Sequence, residues 1–334
     1  MSAVNDADLL RDALLRLLDR ARDRWKLGDG RIDIEPVLNW GGFTNSSFRV
    51  SGPARTLHVK LAAAPGQAEL RRWLAVHEHL TRHYHGPRVL GWLDVSGAAR
   101  AGLVFEHIDG RPWDFQAQAQ RVTDIIDVLD RLHRDDALAA QLGDGPRTFR
   151  QCWAMRYREQ FEEDLKLVRT RRPPFVRETS LQWMEAESAK LLALGRDHPA
   201  LAGVTRTPCH WDAWSGNVMI GGDGSLRILD WDGLAVGDAA LDCATAVWAH
   251  VMELKQDWRT LLRDADAGDP SFAHRVDLHL RAITLDWTID VLADWIESDA
   301  TPWGAQVRAR NEALHVRHLA WYRERWGEVP TCSL

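Results

Sequence analysis

Cysteine is scarce in this sequence, with four residues in a chain of 334. Cys152, Cys209, Cys243 and Cys332 lie far apart, and no two of them form a C-x-x-C pair. Disulfide frameworks and thiolate zinc sites need cysteines at close, regular spacing. The cysteine pattern therefore argues against both and indicates reduced thiols in a cytoplasmic protein.

Long apolar runs are also missing. No run approaches the about 18 residues that a membrane-spanning helix requires. The N-terminal stretch is acidic and polar, without the charged-then-apolar pattern of a signal peptide. We therefore expect a cytoplasmic protein that has no membrane partner.

An excess of basic residues is absent as well. The chain has 42 Lys and Arg against 48 Asp and Glu, a formal net charge of −6. Domains that bind nucleic acid usually carry a positive patch or net charge, so we expect no nucleic-acid partner. A negative field weakly favours a cationic small molecule. The composition gives no indication of the oligomeric state.

The chemistry is concentrated in residues 205–243. This stretch contains the spacing His210-x-Asp212-x4-Asn217, followed by Asp230. Asp212, Asn217 and Asp230 offer oxygen atoms as ligands or bases, and such hard donors suit Mg²⁺ rather than zinc. We therefore predict that Asn217 and Asp230 are metal ligands.

Two short apolar runs, 218–220 and 226–229, flank the turn sequence Gly-Gly-Asp-Gly. Such a pattern predicts a β-hairpin. The hairpin would bring Asn217, before one strand, beside Asp230, after the other. A metal could then bridge the two side chains, with Asp212 facing it from the preceding loop.

Phosphoryl transfer requires such a set of groups. Mg²⁺ neutralises charge on the phosphates, and a carboxylate orients the acceptor hydroxyl and takes its proton. The protein-kinase signature H-R-D-L-x-x-x-N followed by D-F-G has the same spacing. Here Trp211 replaces the arginine and Asp230-Trp231-Asp232 replaces D-F-G. We predict Asp212 and His210 as the catalytic residues, with His210 bracing the loop.

The stretch resembles the aminoglycoside phosphotransferase and choline kinase family, the small-molecule relatives of protein kinases. The usual family pattern is H-G-D-x4-N, then I-D-W/F, then G-D-x3-D, and Gly237-Asp238-x3-Asp242 matches its last part. Trp211 stands where glycine is usual, and Trp214 where histidine is common. We expect Asp238 to cap the next helix and Asp242 to anchor the loop.

The resemblance implies an α+β, two-lobed, protein-kinase-like fold. A small N-terminal antiparallel-sheet lobe would span residues 1–105, a hinge 106–110, and a larger, mainly helical lobe 111–334. ATP and Mg²⁺ are the implied cofactors, with ATP between the lobes. Backbone groups of the hinge residues Glu106, His107 and Ile108 would read the adenine edge.

Further nucleotide-binding residues follow from the resemblance. Thr44, Asn45 and Ser46 would lie in a Gly- and Ser-containing hairpin that contacts the phosphates. Lys60 matches the strand lysine that holds the α- and β-phosphates, although a solvent-facing lysine is the common alternative.

A carboxylate of the helix predicted over 67–84 should pair with Lys60. Glu69 and Glu78 are the candidates, and Glu69 lies nearer the usual family placement.

An acidic stripe within 281–297 is a separate candidate. Asp286, Asp290 and Asp294 recur every four residues, with Trp287 beside them. Like charges at this spacing destabilise a helix, so the stripe and Trp287 could bind a cationic substrate. The alternative is a solvated helix face paired with nearby arginines. Asp232 is a further carboxylate, either beside the metal or in contact with substrate.

The expected activity is ATP-dependent transfer of phosphate to a hydroxyl of a small molecule, such as an aminoglycoside or amino-alcohol. One alternative is a nucleotide-binding pseudokinase with a regulatory or scaffolding role. It is disfavoured because Lys60, Asp212, Asn217 and Asp230 are all present. A protein kinase is disfavoured because Gly237-Asp238 follows too soon for an activation loop.

Overall fold

A computed structural model describes most of the chain. The described residues are 3–38, 45–143, 145–146, 148–198, 201, 207–262, 269–298, 301 and 303–327. The chain splits into two compact units. The first comprises Met1–Trp113, Gly216–Leu234 and Ala300–Pro302, and the second comprises Asp114–Ser215, Ala235–Asp299 and Trp303–Leu334.

An antiparallel sheet of five strands forms the centre of the first unit, in the order β1-β2-β3-β5-β4. Alternation of apolar and polar residues places one face of each strand in a core. Leu57, Val59 and Leu61 on β3 are fully buried, as the alternation predicts. The strands are β1 (Asp33–Val37), β2 (Asn45–Ser51), β3 (Thr56–Ala62), β4 (Val89–Val95) and β5 (Arg100–Glu106).

Helices cover the sheet of the first unit. Leu14 and Leu18 of the first helix pack into the same hydrophobic cluster as Val59 and Leu61. The spacing of leucines in residues 6–26 predicts one amphipathic helix, but the helix is interrupted at Ala21. The helices are α1 (Ala3–Arg20), α2 (Arg22–Trp25) and α3 (Gln67–His83).

A second sheet of the first unit has the order β6-β8-β9. Strands β8 (Val218–Gly221) and β9 (Leu226–Ile228) pair antiparallel, so the hairpin prediction is confirmed. Strand β6 (Gly110–Pro112) pairs with β8.

The second unit is mainly helical. The structure has one pair of strands there, β7 (Thr207–Cys209) with β10 (Ala235–Gly237), among the residues it describes. The helices are α4 (Val122–His133), α5 (Asp136–Leu142), α6 (Phe149–Thr170), α7 (Glu178–Asp197), α8 (Ala239–Met252), α9 (Trp258–Leu261), α10 (Phe272–Glu297) and α11 (Gly304–Trp326).

The start of α4 differs from the sequence prediction. The apolar spacing from Val122 to Leu132 predicts a helix over 114–134, but α4 begins at Val122. The Asp114 carboxylate accepts the backbone N–H groups of Gln116 and Ala117. Such local side-chain bonds compete with helix formation, so the chain forms a turn before the helix.

The predicted α+β class agrees with this architecture, an antiparallel sheet followed by mostly helical structure. The boundaries 1–105, 106–110 and 111–334 stay a prediction. The catalytic hairpin, which was expected in the second lobe, groups with the first unit. Among the described residues, no helix is long and apolar enough to cross a membrane.

Candidate active site

The hairpin β8–β9 brings the two predicted metal ligands to one end. The backbone N–H of Leu229 donates to the carbonyl oxygen of Asn217 at 2.7 Å. Asn217 therefore lies opposite the residue that precedes Asp230. Asp230 itself has a left-handed backbone, with φ 62° and ψ 56°, and a short 3-10 turn, Trp231–Gly233, follows it.

Lys60 joins this group from the neighbouring sheet. It is only 5% exposed, so the solvent-facing alternative is wrong. Its ammonium group donates to Oδ1 of Asp230 and, at 2.7 Å, to Oδ2 of Asp232. Burial acts to lower the pKa of Lys60, but the two carboxylates outweigh it and raise that pKa above its usual value.

The charges of Lys60, Asp230 and Asp232 do not balance, because the two carboxylates share one ammonium group. Burial has the largest effect on the Asp230 carboxyl and raises its pKa to about 7. The charge of Lys60 acts to lower that pKa, and the charge of Asp232 acts to raise it further. The site therefore has a capacity for additional positive charge.

Asn45 contributes to the same group from strand β2. Its Nδ2 donates to Oδ2 of Asp232 at 3.0 Å, while its Oδ1 is buried without a hydrogen-bond partner. Ser46 follows on β2, where its register partner is Leu61 of β3. Thr44 lies outside the described residues.

This donor set fits a magnesium ion. Asn217, Asp230 and Asp232 supply oxygen atoms, and the buried Oδ1 of Asn45 is a further acceptor without a donor. Mg²⁺ prefers such hard oxygen ligands. The placement of Asp232 beside Lys60 and Asn45 favours a position next to the metal, and its contact with substrate stays a prediction.

Two glutamates of helix α3, Glu69 and Glu78, are the predicted candidates for an ion pair with Lys60. Glu69 and Glu78 are both exposed on α3, whereas the ion pairs recorded for Lys60 go to Asp230 and Asp232. Partial burial raises the pKa of Glu69, with Asp232 raising it and Arg72 and Lys60 lowering it. Glu69 thus lies within electrostatic range of Lys60, and its pairing with that lysine stays a prediction.

The predicted hinge residues line a cavity of about 540 Å³ within the first unit. Its walls include Glu106, His107, Ile108 and Asp109, together with the β8–β9 turn. Glu106 forms ion pairs with Arg55 at 3.1 Å and Arg88 at 3.7 Å, and its own backbone N–H donates to the carbonyl oxygen of Arg88. Adenine recognition by this segment stays a prediction.

The loop that carries His210 and Asp212 belongs to the second unit and follows strand β7. His210 is completely buried, and its Nδ1 accepts the backbone N–H of Asp212 at 3.3 Å. These contacts are those of a side chain that braces the loop. That Asp212 faces the metal ligands stays a prediction.

Asp242 of α8 anchors the same loop. One of its oxygens accepts the backbone N–H of His210 at 2.7 Å, and the other accepts that of Trp211 at 2.8 Å. Nε2 of His133 lies 3.1 Å from the first oxygen. The predicted anchoring role of Asp242 is therefore confirmed.

Trp211 stands where the family pattern has glycine, and its backbone explains that pattern. It adopts a left-handed φ of 69°, a conformation that favours glycine. Its ring N–H donates to the carbonyl oxygen of Ala235 at 3.3 Å. A Cβ added at Gly237 would lie 2.8 Å from that ring nitrogen, so Gly237 leaves the space that Trp211 occupies.

Asp238 is confirmed as the cap of α8, because its Oδ1 accepts the backbone N–H of Ala240. It is fully buried and also contacts Arg275 and His279 of α10, at 3.1 and 3.2 Å. Burial acts to raise the pKa of Asp238. The hydrogen bond and charge of His279, together with Arg275, outweigh it and hold that pKa below its usual value.

The acidic stripe on α10 is not a solvated helix face. Asp286 and Asp294 are 3% and 7% exposed, and Asp290 is half-buried. Burial raises the pKa of Asp290 well above its usual value, and Asp294, Asp286 and Asp164 raise it further. The half-buried ring of Trp287 packs on that of Trp248 at a centroid distance of 4.4 Å.

Two arginines, Arg156 of the second unit and Arg72 of the first, were not identified by the motif analysis. Arg156 of α6 donates to Oδ2 of Asp286 at 2.9 Å, while Oδ1 of Asp286 is buried without a partner. Burial acts to lower the pKa of Arg156, but the charges of Asp286, Tyr157 and Asp212 outweigh it and raise that pKa. Arg72 of α3 donates to the carbonyl oxygen of Asp232. Both arginines form hydrogen bonds with residues that are far away in the sequence. A local motif does not reveal such contacts.

Solved structures with similar folds cover nearly the whole chain. A putative aminoglycoside phosphotransferase from Ralstonia eutropha JMP134 has 15% identity and a TM-score of 0.56, covering 94% of this chain and 98% of its own. Choline kinase LicA from Streptococcus pneumoniae has 15% identity and a TM-score of 0.58, covering 90% and 97%. The GDP and kanamycin complex of APH(2")-IIia has 14% identity and a TM-score of 0.56, covering 93% and 98%. These similarities confirm the kinase-like fold.

A comparison with curated protein sequences gives no match. The model of the phosphotransferase enzyme family matches residues 36–276, which is more than half of the chain. This range includes Lys60, the catalytic loop and the hairpin. The protein therefore belongs to the phosphotransferase enzyme family, the small-molecule kinases that its catalytic motif resembles.

Proposed function

We propose that this protein is an ATP-dependent phosphotransferase that moves the γ-phosphate to a hydroxyl of a small molecule. The observation that carries the proposal is the group formed by Lys60, Asp230 and Asp232 at the end of the hairpin where Asn217 lies. Structures with similar folds support a nucleotide donor, because one is a GDP complex and another is an AMP complex.

The residues of the first unit would bind the nucleotide. Asn217 and Asp230 would hold Mg²⁺, with Asp232 next to it. When bound, Mg²⁺ neutralises charge on the phosphates. Lys60 remains charged because its two carboxylate partners raise its pKa, so it can contact the α- and β-phosphate oxygens.

Asp212 would orient the acceptor hydroxyl and accept its proton. Proton transfer by a positioned side chain contributes about 10²- to 10⁴-fold to a rate. The role requires a fixed loop, and His210, Trp211 and Asp242 supply this through the backbone hydrogen bonds described above.

The acceptor would be a cationic amine, such as an aminoglycoside or amino-alcohol. Asp290 supports this choice, since burial and the neighbouring carboxylates disfavour its ionised form. An ammonium group beside it would relieve that repulsion, and the face of Trp287 would add cation–π attraction of about 0.5–2 kcal/mol. Related structures include a kanamycin complex and choline kinases.

The test is ADP release from Mg-ATP by the purified full-length protein, with a panel of amines, sugars and antibiotics as acceptors. We expect a cationic amine to raise the rate and Asp212→Ala to lower the stimulated rate by about 10²-fold or more. Asp127→Asn, at an exposed position on α4, is the matched control and should keep the wild-type rate.

Other outcomes separate the alternatives. Stimulation by a neutral sugar alone would retain the kinase and overturn the cationic acceptor. Tight Mg-ATP binding without turnover on any acceptor would favour the nucleotide-binding pseudokinase. Absence of nucleotide binding would contradict the roles of Lys60 and Asp230.

A further inference from the structure

Helix α3 contacts the turn of Asp232 through an arginine. Nη2 of Arg72 donates to the backbone carbonyl oxygen of Asp232 at 3.1 Å. The two residues are 160 positions apart in the sequence. Because the acceptor is a backbone atom, the contact constrains the course of the chain through Trp231–Gly233 and does not involve the Asp232 carboxylate.

The carboxylate of Asp232 is held by other groups. Lys60 and Asn45 donate to its Oδ2 at 2.7 and 3.0 Å, and the backbone N–H of Gly233 donates to Oδ1 at 3.1 Å. Among these hydrogen-bond partners of Asp232, Arg72 alone belongs to helix α3. The guanidinium group of Arg72 therefore gives the turn that carries Asp232 a polar contact with helix α3.

The resemblance predicted another link between helix and site, a carboxylate of α3 paired with Lys60. That pairing stays a prediction: Lys60 forms ion pairs with Asp230 and Asp232, and Glu69, three residues before Arg72, is exposed. Nε of Arg72 is buried without a hydrogen-bond partner. Burial of an unpaired donor is unfavourable, and the hydrogen bond from Nη2 to the Asp232 carbonyl oxygen is a favourable contact of the same guanidinium.

We propose that Arg72 is a positioning residue for Mg²⁺-nucleotide binding, acting through the backbone of the turn Trp231–Gly233. The inference rests on the proposed nucleotide-binding function of Asp230 and Asp232. Arg72 supports residues that would contact the ion and does not itself contact the reacting atoms. Groups that orient metal ligands in this way typically change metal affinity or activity by about 10- to 100-fold when replaced.

The experiment compares Arg72→Met and Arg72→Lys with Arg71→Met in the full-length protein. Arg71 is the neighbouring residue on α3, is exposed, and places its guanidinium over the ring of Trp92 at 4.1 Å. Calorimetric titration measures the affinity for ADP with Mg²⁺ and with EDTA. Urea denaturation without nucleotide measures stability.

We expect Arg72→Met to weaken Mg-ADP binding by about 10- to 100-fold, while ADP binding in EDTA changes little. Arg72→Lys should recover part of the Mg²⁺-dependent affinity, because an ammonium can still donate to the carbonyl oxygen. Arg71→Met should bind Mg-ADP like the wild type.

Equal Mg-ADP affinity in Arg72→Met and the wild type would overturn the inference. So would a loss that is the same in Mg²⁺ and in EDTA, since that result indicates a structural role only. If Arg72→Met does not fold, Arg72→Lys is measured in its place, and a loss of affinity that is equal in Mg²⁺ and in EDTA would contradict the inference. Failure of the wild-type protein to bind Mg-ADP would instead overturn the proposed function and, with it, the basis of this inference.

Discussion

At the scale of single residues, the environment of each charged side chain differs from what its sequence neighbours suggest. Lys60 alternates with apolar residues on β3, a pattern that usually exposes a lysine, yet it is buried between Asp230 and Asp232. The stripe on α10 reads as a polar helix face, yet Asp286 and Asp294 are buried. For Lys60 and Asp286, the partner that compensates the charge comes from a distant part of the chain.

Asp294 leads to a prediction about pH. Burial, followed by the charges of Glu297 and Asp164, raises its pKa to about 7. The charge of Arg310 and a hydrogen bond from Asn311 act to lower that pKa but do not outweigh these effects. Its unfolded pKa is about 3.9, so between these values the folded state binds more protons. Stability from this group is present below the unfolded pKa and is lost as the pH rises through about 7. Asp294→Asn should therefore stabilise the protein at pH 8 by about 1–3 kcal/mol more than at pH 5, measured by urea denaturation.

The control for this prediction is Asp127→Asn, which changes an exposed aspartate on α4. It should shift stability equally at both pH values. An equal effect of Asp294→Asn at pH 5 and pH 8 would contradict the proposed burial of its charge.

At the scale of elements, helix α8 links the catalytic loop to α10. Asp242 in its first turn binds the backbone of the loop, and Asp238 at its N-cap binds Arg275 and His279. The sequence predicted the cap and the anchor from the G-D-x3-D pattern. It did not identify the α10 partners, because nothing local to the motif specifies which cation packs against a buried carboxylate.

Two aspartate caps allow a matched comparison. Asp238→Ala removes a cap and one ion pair of Arg275, which keeps Asp269 as a second partner at 2.6 Å, so we expect a loss of about 2–4 kcal/mol in the free energy of unfolding. Asp135→Ala removes the cap of α5, where Asp135 accepts the N–H of Leu138 and is half-buried. That change should cost about 1 kcal/mol.

Chemical denaturation measures the free energy of unfolding of both alanine variants. Asp238→Asn, which keeps the capping oxygen but removes the charge, should fall between the two alanine variants. If Asp238→Ala cost no more than Asp135→Ala, the ion pair with Arg275 would have no net role in stability.

At the scale of the whole molecule, nucleotide binding should raise the stability of the folded protein. A ligand that binds only the folded state adds about 2.7 kcal/mol at 100 times its Kd. We expect Mg-ATP to raise the melting temperature more than ATP with EDTA does, because the donor set of Asn217, Asp230 and Asp232 suits Mg²⁺. Differential scanning fluorimetry measures the shift.

Variants within one hairpin test this effect. Asp230→Asn should remove most of the Mg²⁺-dependent increment. Asp223→Asn, at the exposed turn of the same hairpin, should retain it. If Asp230→Asn kept the full Mg²⁺-dependent rise in melting temperature, Asp230 would not be a ligand of the metal.

The sequence by itself determined the elements and the catalytic motif. Periodicity and turn chemistry predict the hairpin, α3 and α8, because these depend on residues close together in the chain. The spacing of His210, Asp212, Asn217 and Asp230 predicts a kinase-like site for the same reason. The start of α4 and the left-handed backbone of Trp211 were not predicted, since each depends on a particular side-chain contact.

The tertiary structure alone decided the charge partners. Lys60 pairs with Asp230 and Asp232, Arg156 with Asp286, Asp238 with Arg275, and Arg72 with the backbone of Asp232. These contacts join residues that are far apart in sequence, and a buried charge selects the partner that the packing of helices and strands brings within reach. Local pattern determines that a charge is present, whereas packing determines whether it is buried and what neutralises it.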